Sequence, residues 1–475
     1  MNPLSTAPSL VIFAGWCAGL SASSRLPAFL AAVAGTLVSA SFLLVGTKRF
    51  PPGTSLFLPL TLLAVLLPLF ALVSRIQAPP CSLGPFQGDA VVLTERSWGR
   101  RRAVVLETAA GKLLCLLRPD KAVTEGARVK VRGRLSPLES LFPRREGAFD
   151  GARYWRGRGV DSGFESASVE VGEDFRPGFA AWRTTLRKRL LLSLPPLLRG
   201  HLLAAWAGEK DPEVEVLHRR WGTAHLLAVS GFHVGLLALT VLWCLQGFRF
   251  KLLWSSCLLW GYVFLTGAAP SALRAMVMIQ LALVGTAMAG SPSSALNSVA
   301  VAGTALLAYN PWLFWDVGWR LSVISVLVLC SFAGGRRTFA RGILASLAVW
   351  LATAGEASRV FGFVPVAGLA MNLIALPVFS VLLPVASIAA LPTLLGVPGG
   401  GLLAVGMEGI FETWSFIADG ISSILPWKLA YGPLIWVVSA GVVGAAAGRG
   451  LGLGREKTVL LSILAVLCGL LFRQP

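Results

Sequence analysis

Charge is scarce. Asp, Glu, Lys and Arg make up only 14% of the 475 residues, against about a quarter in soluble globular chains, and 55% are hydrophobic. With a mean hydropathy of +0.71, this composition excludes an ordinary soluble globule. Histidine is scarcer still: His201, His218, His225 and His233 are the only four. A dinuclear metal hydrolase needs clustered His and Asp, as in an H-x-H-x-D-H run, and no such run occurs. His225 and His233 lie eight residues apart across an expected helix break, which disfavours shared ligation of a metal. The stretch Ala228-Val-Ser-Gly-Phe-His233 lacks the G-x-S-x-G spacing of a nucleophile elbow. Gly111-Lys112 lacks the phosphate-cradling spacing and the following Ser or Thr of a P-loop. The expectation is therefore no catalytic residue, no metal and no cofactor: a non-enzyme whose energy comes from a partner.

The seven cysteines form no disulfide framework, because Cys17, Cys244, Cys257, Cys330 and Cys468 sit inside apolar runs. Cys81 and Cys115 share a polar region, and whether they pair is open from sequence. Acidic residues are missing altogether from 1–74, which holds three basic ones, and no Lys or Arg precedes Arg25. A cleavable signal with a basic start is thereby disfavoured.

The charge that exists is concentrated: residues 75–200 carry 23 basic and 13 acidic residues, and 201–475 carry 16 and 10. One water-soluble module is thus inserted between membrane regions. A spanning helix needs about 20 apolar residues, and three such runs open the chain near 9–24, 27–46 and 55–74. Lys48 and Arg49, counted as cytoplasmic, place the module outside; Arg25 argues the other way.

Within the module, Ala90–Thr94, Arg102–Thr108, Lys112–Leu117 and Arg128–Leu135 carry strand signals, with a hairpin at Ala110-Gly111. A small barrel of OB type is the economical fold. Pro177–Leu194 follows as an amphipathic helix whose Trp182, Arg183, Arg187, Lys188 and Arg189 suit an anionic membrane surface. From Trp221, spans are expected near 222–247, 252–268, 271–290, 294–309, 319–333, 343–358, 364–396, 401–424, 430–447 and 458–472. Basic clusters at Arg249/Lys251, Arg336/Arg337/Arg341 and Arg449/Arg455/Lys457 fall on one side if 364–396 crosses once. The expected fold class is a mainly α-helical polytopic membrane protein with an inserted small β-barrel (OB-like) extracytoplasmic domain. Its domains are N-terminal spans over 1–76, the barrel over 77–176, interfacial helices over 177–220 and a helical core over 221–475.

Polar residues inside apolar spans are costly and tend to face a bundle interior or a wet cavity. His225, Ser230, Gly231, His233 and Gly235 share one such span, with Ser230-Gly231 a natural break. Tyr262, Thr266, Gly267, Pro270 and Arg274 follow, then Arg320 and Glu356, with Asp316 just outside. The competing reading is structural: small residues let helices pack, and Arg274 or Arg320 pairs with Glu356 or Asp316. In the module, Arg100, Arg101, Arg102, Arg128, Lys130, Arg132 and Arg134 would supply phosphate contacts. The aromatics Trp98, Phe142, Phe149, Tyr154 and Trp155 would stack bases, with Arg156 a further DNA-binding candidate; a solvated basic face is the alternative.

Several stretches in order, HLLAVSGFHVGLL, YVFLTGAAPSALRAMVM, DVGWRLSV and NLIALPVFSVLLP, resemble the membrane domain of ComEC-type competence DNA-uptake channels. Gly147–Gly159 resembles the end of that family's OB-like domain. The resemblance implies passage of single-stranded DNA across the bacterial cytoplasmic (inner) membrane, with separate motor and nuclease partners and lipid contacts; whether the chain forms a homo-oligomer is open from sequence. It singles out His225, Ser230, Gly231, His233, Gly235, Thr266, Gly267, Pro270, Arg274, Asn372 and Pro377 as pore or packing positions. Three departures stand out: Arg320 where a Gln is common, Glu356 in a stretch expected to be apolar, and no metallo-β-lactamase-like domain before Pro475. A transporter of a smaller anionic solute and a non-transporting accessory protein are the competing functions.

Overall fold

The structure is a computed structural model that describes residues 83–471 apart from 121–122, 144–148, 290–294, 333–338 and 451–453. Ahead of these, only Phe13, Trp16, Cys17, Leu20 and Ile76 are described. The expected spans at 27–46 and 55–74, most of 9–24, Cys81, Arg336 and Arg337 lie outside the described residues.

Five strands form the sheet of the soluble module: β1 (Gly84–Trp98), β2 (Arg101–Thr108), β3 (Gly111–Leu117), β4 (Ala127–Ser136) and β5 (Ser162–Phe175). They pair in the order β1-β2-β3-β5-β4, with β4 returning to β1 and only β3 and β5 parallel. Four match the expected strands with longer ends. The fifth goes unread in sequence, because its Ser, Glu and Gly content hides the alternation. Strand β4 alternates as expected, with Val129 and Val131 inside and Arg128, Lys130, Arg132 and Arg134 outside. Strands β2 and β3 read instead as unbroken apolar runs because both faces are covered. Val104, Leu106, Leu113 and Cys115 enter the barrel core. Ala103, Val105 and Leu114 pack outward on helix α1 (Gly151–Gly157), whose Trp155 is 1% exposed. Asp150 caps α1 by accepting from the Arg153 N–H at 3.0 Å.

The rest is helical: α2 (Phe179–Ser193), α3 (Pro196–Leu202), α4 (Pro212–Trp221), α5 (Gly231–Cys244), α6 (Lys251–Leu265), α7 (Pro270–Ala289) and α8 (Ala295–Tyr309). There follow α9 (Val317–Phe332), α10 (Phe339–Phe361), α11 (Ala367–Leu394), α12 (Gly400–Ile424), α13 (Pro433–Gly450) and α14 (Arg455–Leu471). Among the described residues, three helices are long and apolar enough to cross a membrane, within α7, α10 and α11; α5, α6, α8, α9 and α13 supply shorter apolar helices. Helix α11 runs unbroken through Pro377, Pro384 and Pro392, as the single long element expected over 364–396. A two-stranded ribbon, β6 (Phe363–Pro365) against β7 (Lys428–Ala430), ties the start of α11 to the end of α12.

Two elements do more than the sequence suggests. Helix α12, expected to be a span, carries Glu408, Glu412 and Asp419 and clamps the short helices beside it. Glu408 accepts from the first-turn N–H groups of Leu197 at 2.8 Å and Leu198 at 2.7 Å, and Asp419 accepts from Trp221 Nε1 at 2.9 Å. Helix α2 gives only part of its expected surface set to the outside: Trp182, Lys188 and Arg189 are exposed, whereas its other two cations are engaged within the protein. Arg183 is buried against Glu125, and Arg187 pairs with Glu209 at 3.0 Å.

Candidate functional site

The expected break in the first core span is present. A 3₁₀ turn (Ala224–Leu227) leads through extended backbone to Ser230, which caps α5 by accepting from the Phe232 N–H at 3.3 Å. His233 is buried in the first turn with Nδ1 3.4 Å from Ser230 Oγ, whereas His225 is exposed on the 3₁₀ turn. A side chain at Gly235 would meet open space.

Helix α6 ends in a Schellman turn, with Ala268 N–H donating to Val263 C=O at 2.8 Å and Gly267 N–H to Phe264 C=O at 3.1 Å. Gly267 has φ +85°, which favours glycine, and Ala268 follows at φ +50°. The turn lies under the barrel: a Cβ on Gly267 would sit 3.2 Å from Arg183 Nη1 and 3.7 Å from Arg96 Nη2. Arg183 donates from Nε to Glu125 at 2.7 Å, from Nη2 to Leu93 C=O at 3.0 Å and from Nη1 to Leu265 C=O at 3.5 Å. It therefore joins the β3–β4 loop, β1 and the carbonyl end of α6, where a cation meets the helix dipole favourably. Burial pushes the Arg96 guanidinium below its ordinary pKa and the Glu209 carboxyl above its own, the latter opposed mainly by Arg187. Tyr262 Oη donates to Ala205 C=O at 2.8 Å on the other side of the turn.

Helix α1 makes the second barrel contact. Arg158 pairs with Asp316 at 2.9 Å, Asn310 Nδ2 donates to Arg156 C=O at 2.9 Å, and the Arg156 guanidinium lies 4.7 Å from the Trp312 ring. Tyr154 lies under the Arg158 guanidinium at 3.5 Å and packs on Trp98 and Trp155. Of the two residues expected to hold DNA, Arg156 contacts the helical core at Trp312 and Asn310, and Tyr154 packs within the module on Trp98, Phe149 and Trp155. Of the aromatic group, Phe149 stays exposed and the buried Trp155 has no face to offer a base.

The basic positions divide by neighbour. Lys130 lies between Asp89 and Glu170 across the strands, and Arg134 lies beside Glu165. Arg132 has Gln87 and Ser168 as neighbours and Arg128 faces Val91. Arg102 pairs with Glu95, leaving Arg100 and Arg101 exposed at the β1–β2 tip.

The intramembrane cations also divide. Arg320 pairs with Glu356 at 3.1 Å and donates to Phe314 C=O at 2.6 Å, while Arg359 holds the same carboxylate at 2.9 Å. The two departures from the family pattern are therefore one ion pair, as the structural reading expects. Arg274 does not follow it: at 2% exposed it has no carboxylate partner among the described residues. Nε donates to Ser322 Oγ at 3.1 Å, Nη2 reaches the same hydroxyl, and Nη1 lies 3.1 Å from Met278 Sδ. Pro270 is the first residue of α7, and Ser271 Oγ donates to Val229 C=O at 2.8 Å, fastening α7 to the break before α5. Asn372 Oδ1 is buried on α11 without a hydrogen-bond partner, five residues before Pro377. No group of three His, Cys, Asp or Glu with metal-site geometry occurs among the described residues.

Sequence reasoning misses Ser322, Glu125 and Arg96, and gives Arg183 to a membrane surface. Ser322 lies inside DVGWRLSV, and the need of a buried Arg for an acceptor is the one signal pointing to it.

A family model described as Competence protein matches residues 202–451, more than half of the chain. The chain belongs to the competence protein family. ComE operon protein 3 of Bacillus subtilis (strain 168) is 28% identical over 211 residues, covering 42% of this chain and 27% of that protein. The uncharacterized protein YcaI of Escherichia coli (strain K12) is 25% identical over 229 residues, covering 43% and 26%. This competence protein therefore aligns with about a quarter of the length of each relative. No solved structure matches. The family and the three apolar helices make the chain a membrane protein.

Proposed function

We propose that this competence protein is the inner-membrane, multi-pass channel component that passes single-stranded DNA into the cytoplasm during natural transformation. The family match supports this most directly, because 202–451 contains the α5 break, the Thr266-Gly267 turn and Arg274. The barrel, read as an OB-type module outside the membrane, takes the strand on its exposed cations. Arg100, Arg101, Arg128 and Arg132 are the phosphate contacts least compensated by neighbouring carboxylates, with Phe149 an exposed ring for stacking. Docking of Arg183 and Arg158 on the helices keeps that surface in register with the polar spans. Function is non-catalytic, with strand degradation and energy supplied by separate nuclease and motor proteins.

The test is equilibrium binding of a single-stranded oligonucleotide to the full chain in nanodiscs of uncharged lipid across a salt series. Single-strand binding through Z phosphates gives a log–log salt slope near −0.7Z. A slope indistinguishable from zero would count against the reading. Uptake of small labelled anions without DNA binding would favour a small-solute transporter.

A further inference from the structure

Among the described residues, Arg274 is the one buried intramembrane cation whose partners are all uncharged. The guanidinium reaches the N-terminus of α5: a Cβ built on Gly231 would lie 3.6 Å from Arg274 Nη2 and 3.5 Å from Ala275 Cβ. The first-turn N–H groups of a helix have no intrahelical acceptor, and the helix dipole makes that end an anion site. Helix α5 has 14 residues, and the Ser230 hydroxyl occupies only the Phe232 N–H. A buried guanidinium beside a helix N-terminus puts two positive features together with no negative group between them, which is costly unless an anion arrives. Gly231 leaves room beside the guanidinium and Gly235 opens the same helix to free space one turn on.

We propose that Arg274, the Ser322 hydroxyl and the first turn of α5 at Gly231 form a binding station for a phosphodiester or other phosphoryl anion. The guanidinium contributes charge and N–H donors, α5 contributes its N-terminal N–H groups, and the Ser230 and Ser322 hydroxyls border the space. Naming the anion as a nucleic-acid backbone rests on the DNA-uptake reading; the station itself rests on the geometry alone. A lipid headgroup or free phosphate offers the same chemistry.

The test is thermal unfolding of the full chain in phosphatidylcholine nanodiscs, with inorganic phosphate compared with chloride at matched ionic strength. An anion that binds only the folded state raises the midpoint. Phosphate is expected to raise it for wild type, less for Arg274→Lys and not at all for Arg274→Gln. Gly231→Ala serves as the second variant, because its new Cβ makes only ordinary contacts and fills the space beside the guanidinium. Its midpoint in chloride should be at or above wild type while the phosphate shift disappears. No phosphate shift for wild type, or a full shift retained in Gly231→Ala, overturns the station. A shift with phosphate and with oligothymidylate, both abolished in Gly231→Ala, supports the station and its nucleic-acid occupant. A shift with phosphate alone supports the station and overturns that occupant. A midpoint already raised in phosphatidylglycerol nanodiscs, with no further phosphate effect, supports the station with a headgroup as its source. Oligonucleotide binding that survives in both variants, with no phosphate shift in wild type, overturns the station and leaves the DNA reading standing on the barrel.

Discussion

The Arg183 guanidinium lies 2.7 Å from the Glu125 carboxylate with both side chains almost sealed from solvent, and this pair joins the barrel to the turn between α6 and α7. Removing one member of a buried pair leaves an uncompensated charge and costs about 3–5 kcal/mol. Glu125→Gln and Arg183→Met are each expected to lower stability by that order. The double variant should recover much of the loss, because the unpaired charge is gone. A double-mutant cycle of unfolding free energies checks it; additive losses would show that the two residues act apart.

Glu356 neutralises two arginines, so its two partners are not equivalent to it. Glu356→Gln leaves Arg320 and Arg359 both without a counter-charge, whereas Arg320→Gln leaves Glu356 still paired with Arg359 at 2.9 Å. The first substitution should therefore destabilise the membrane helices more than the second. Melting midpoints in the reverse order would contradict the triad.

His201 and His218 give a pH dependence. Their Nε2 atoms are 3.0 Å apart, His201 Nδ1 lies 2.7 Å from Leu197 C=O, and His218 Nδ1 lies 2.9 Å from Thr223 Oγ1. These bonds are satisfied with neutral rings, Thr223 donating to His218, His218 to His201, and His201 to the carbonyl. Burial lowers His201 to about 4 and holds His218 well below the ordinary range. The unfolded rings take protons near pH 6.5, so from about 6.5 down to about 4 the unfolded state binds more protons. Stability should fall through that window as pH falls. Unfolding measured across it should show a slope that flattens in His201→Leu; an unchanged slope would assign the titration elsewhere.

Gly267 holds a left-handed turn against Arg183. Gly267→Ala should cost about 1–2 kcal/mol from its backbone alone. Gly208→Ala should cost more, because its Cβ would collide with the Thr266 carbonyl and not with a movable side chain. Chemical unfolding of the two variants tests the order.

Much of this is legible in sequence where one physical demand dominates. Ser230-Gly231 breaks the first core span because a cap and a glycine favour a helix start, and β4 shows its Val–Arg alternation because one face alone is buried. Trp155 is misassigned from sequence because exposed stacking platforms and buried packing use the same residues. Only the fold places Trp155 under β2 and β3. Arg183 and Arg187 look like a membrane-facing stripe because their carboxylates, Glu125 and Glu209, lie on separate segments. Arg320 and Glu356 look anomalous for the same reason, being 36 residues apart.

The barrel cations proposed to contact phosphate can be separated by experiment from the residues that touch the helices. In oligonucleotide binding by the full chain, Arg100→Gln with Arg101→Gln should flatten the salt slope by about 0.7 for each phosphate no longer neutralised. Arg156→Gln should leave that slope unchanged and lower stability instead, since Arg156 lies on Trp312 and pairs with Glu139 at 2.6 Å. The opposite pattern would return Arg156 to the DNA surface.

The proposed inward passage of DNA is tested most directly by transformation frequency in a clean deletion strain of a competent host, complemented with wild type or Arg274→Gln at matched membrane abundance. Loss on deletion, rescue by wild type and failure of the variant is the predicted result. A deletion strain that transforms at the parental frequency would contradict it.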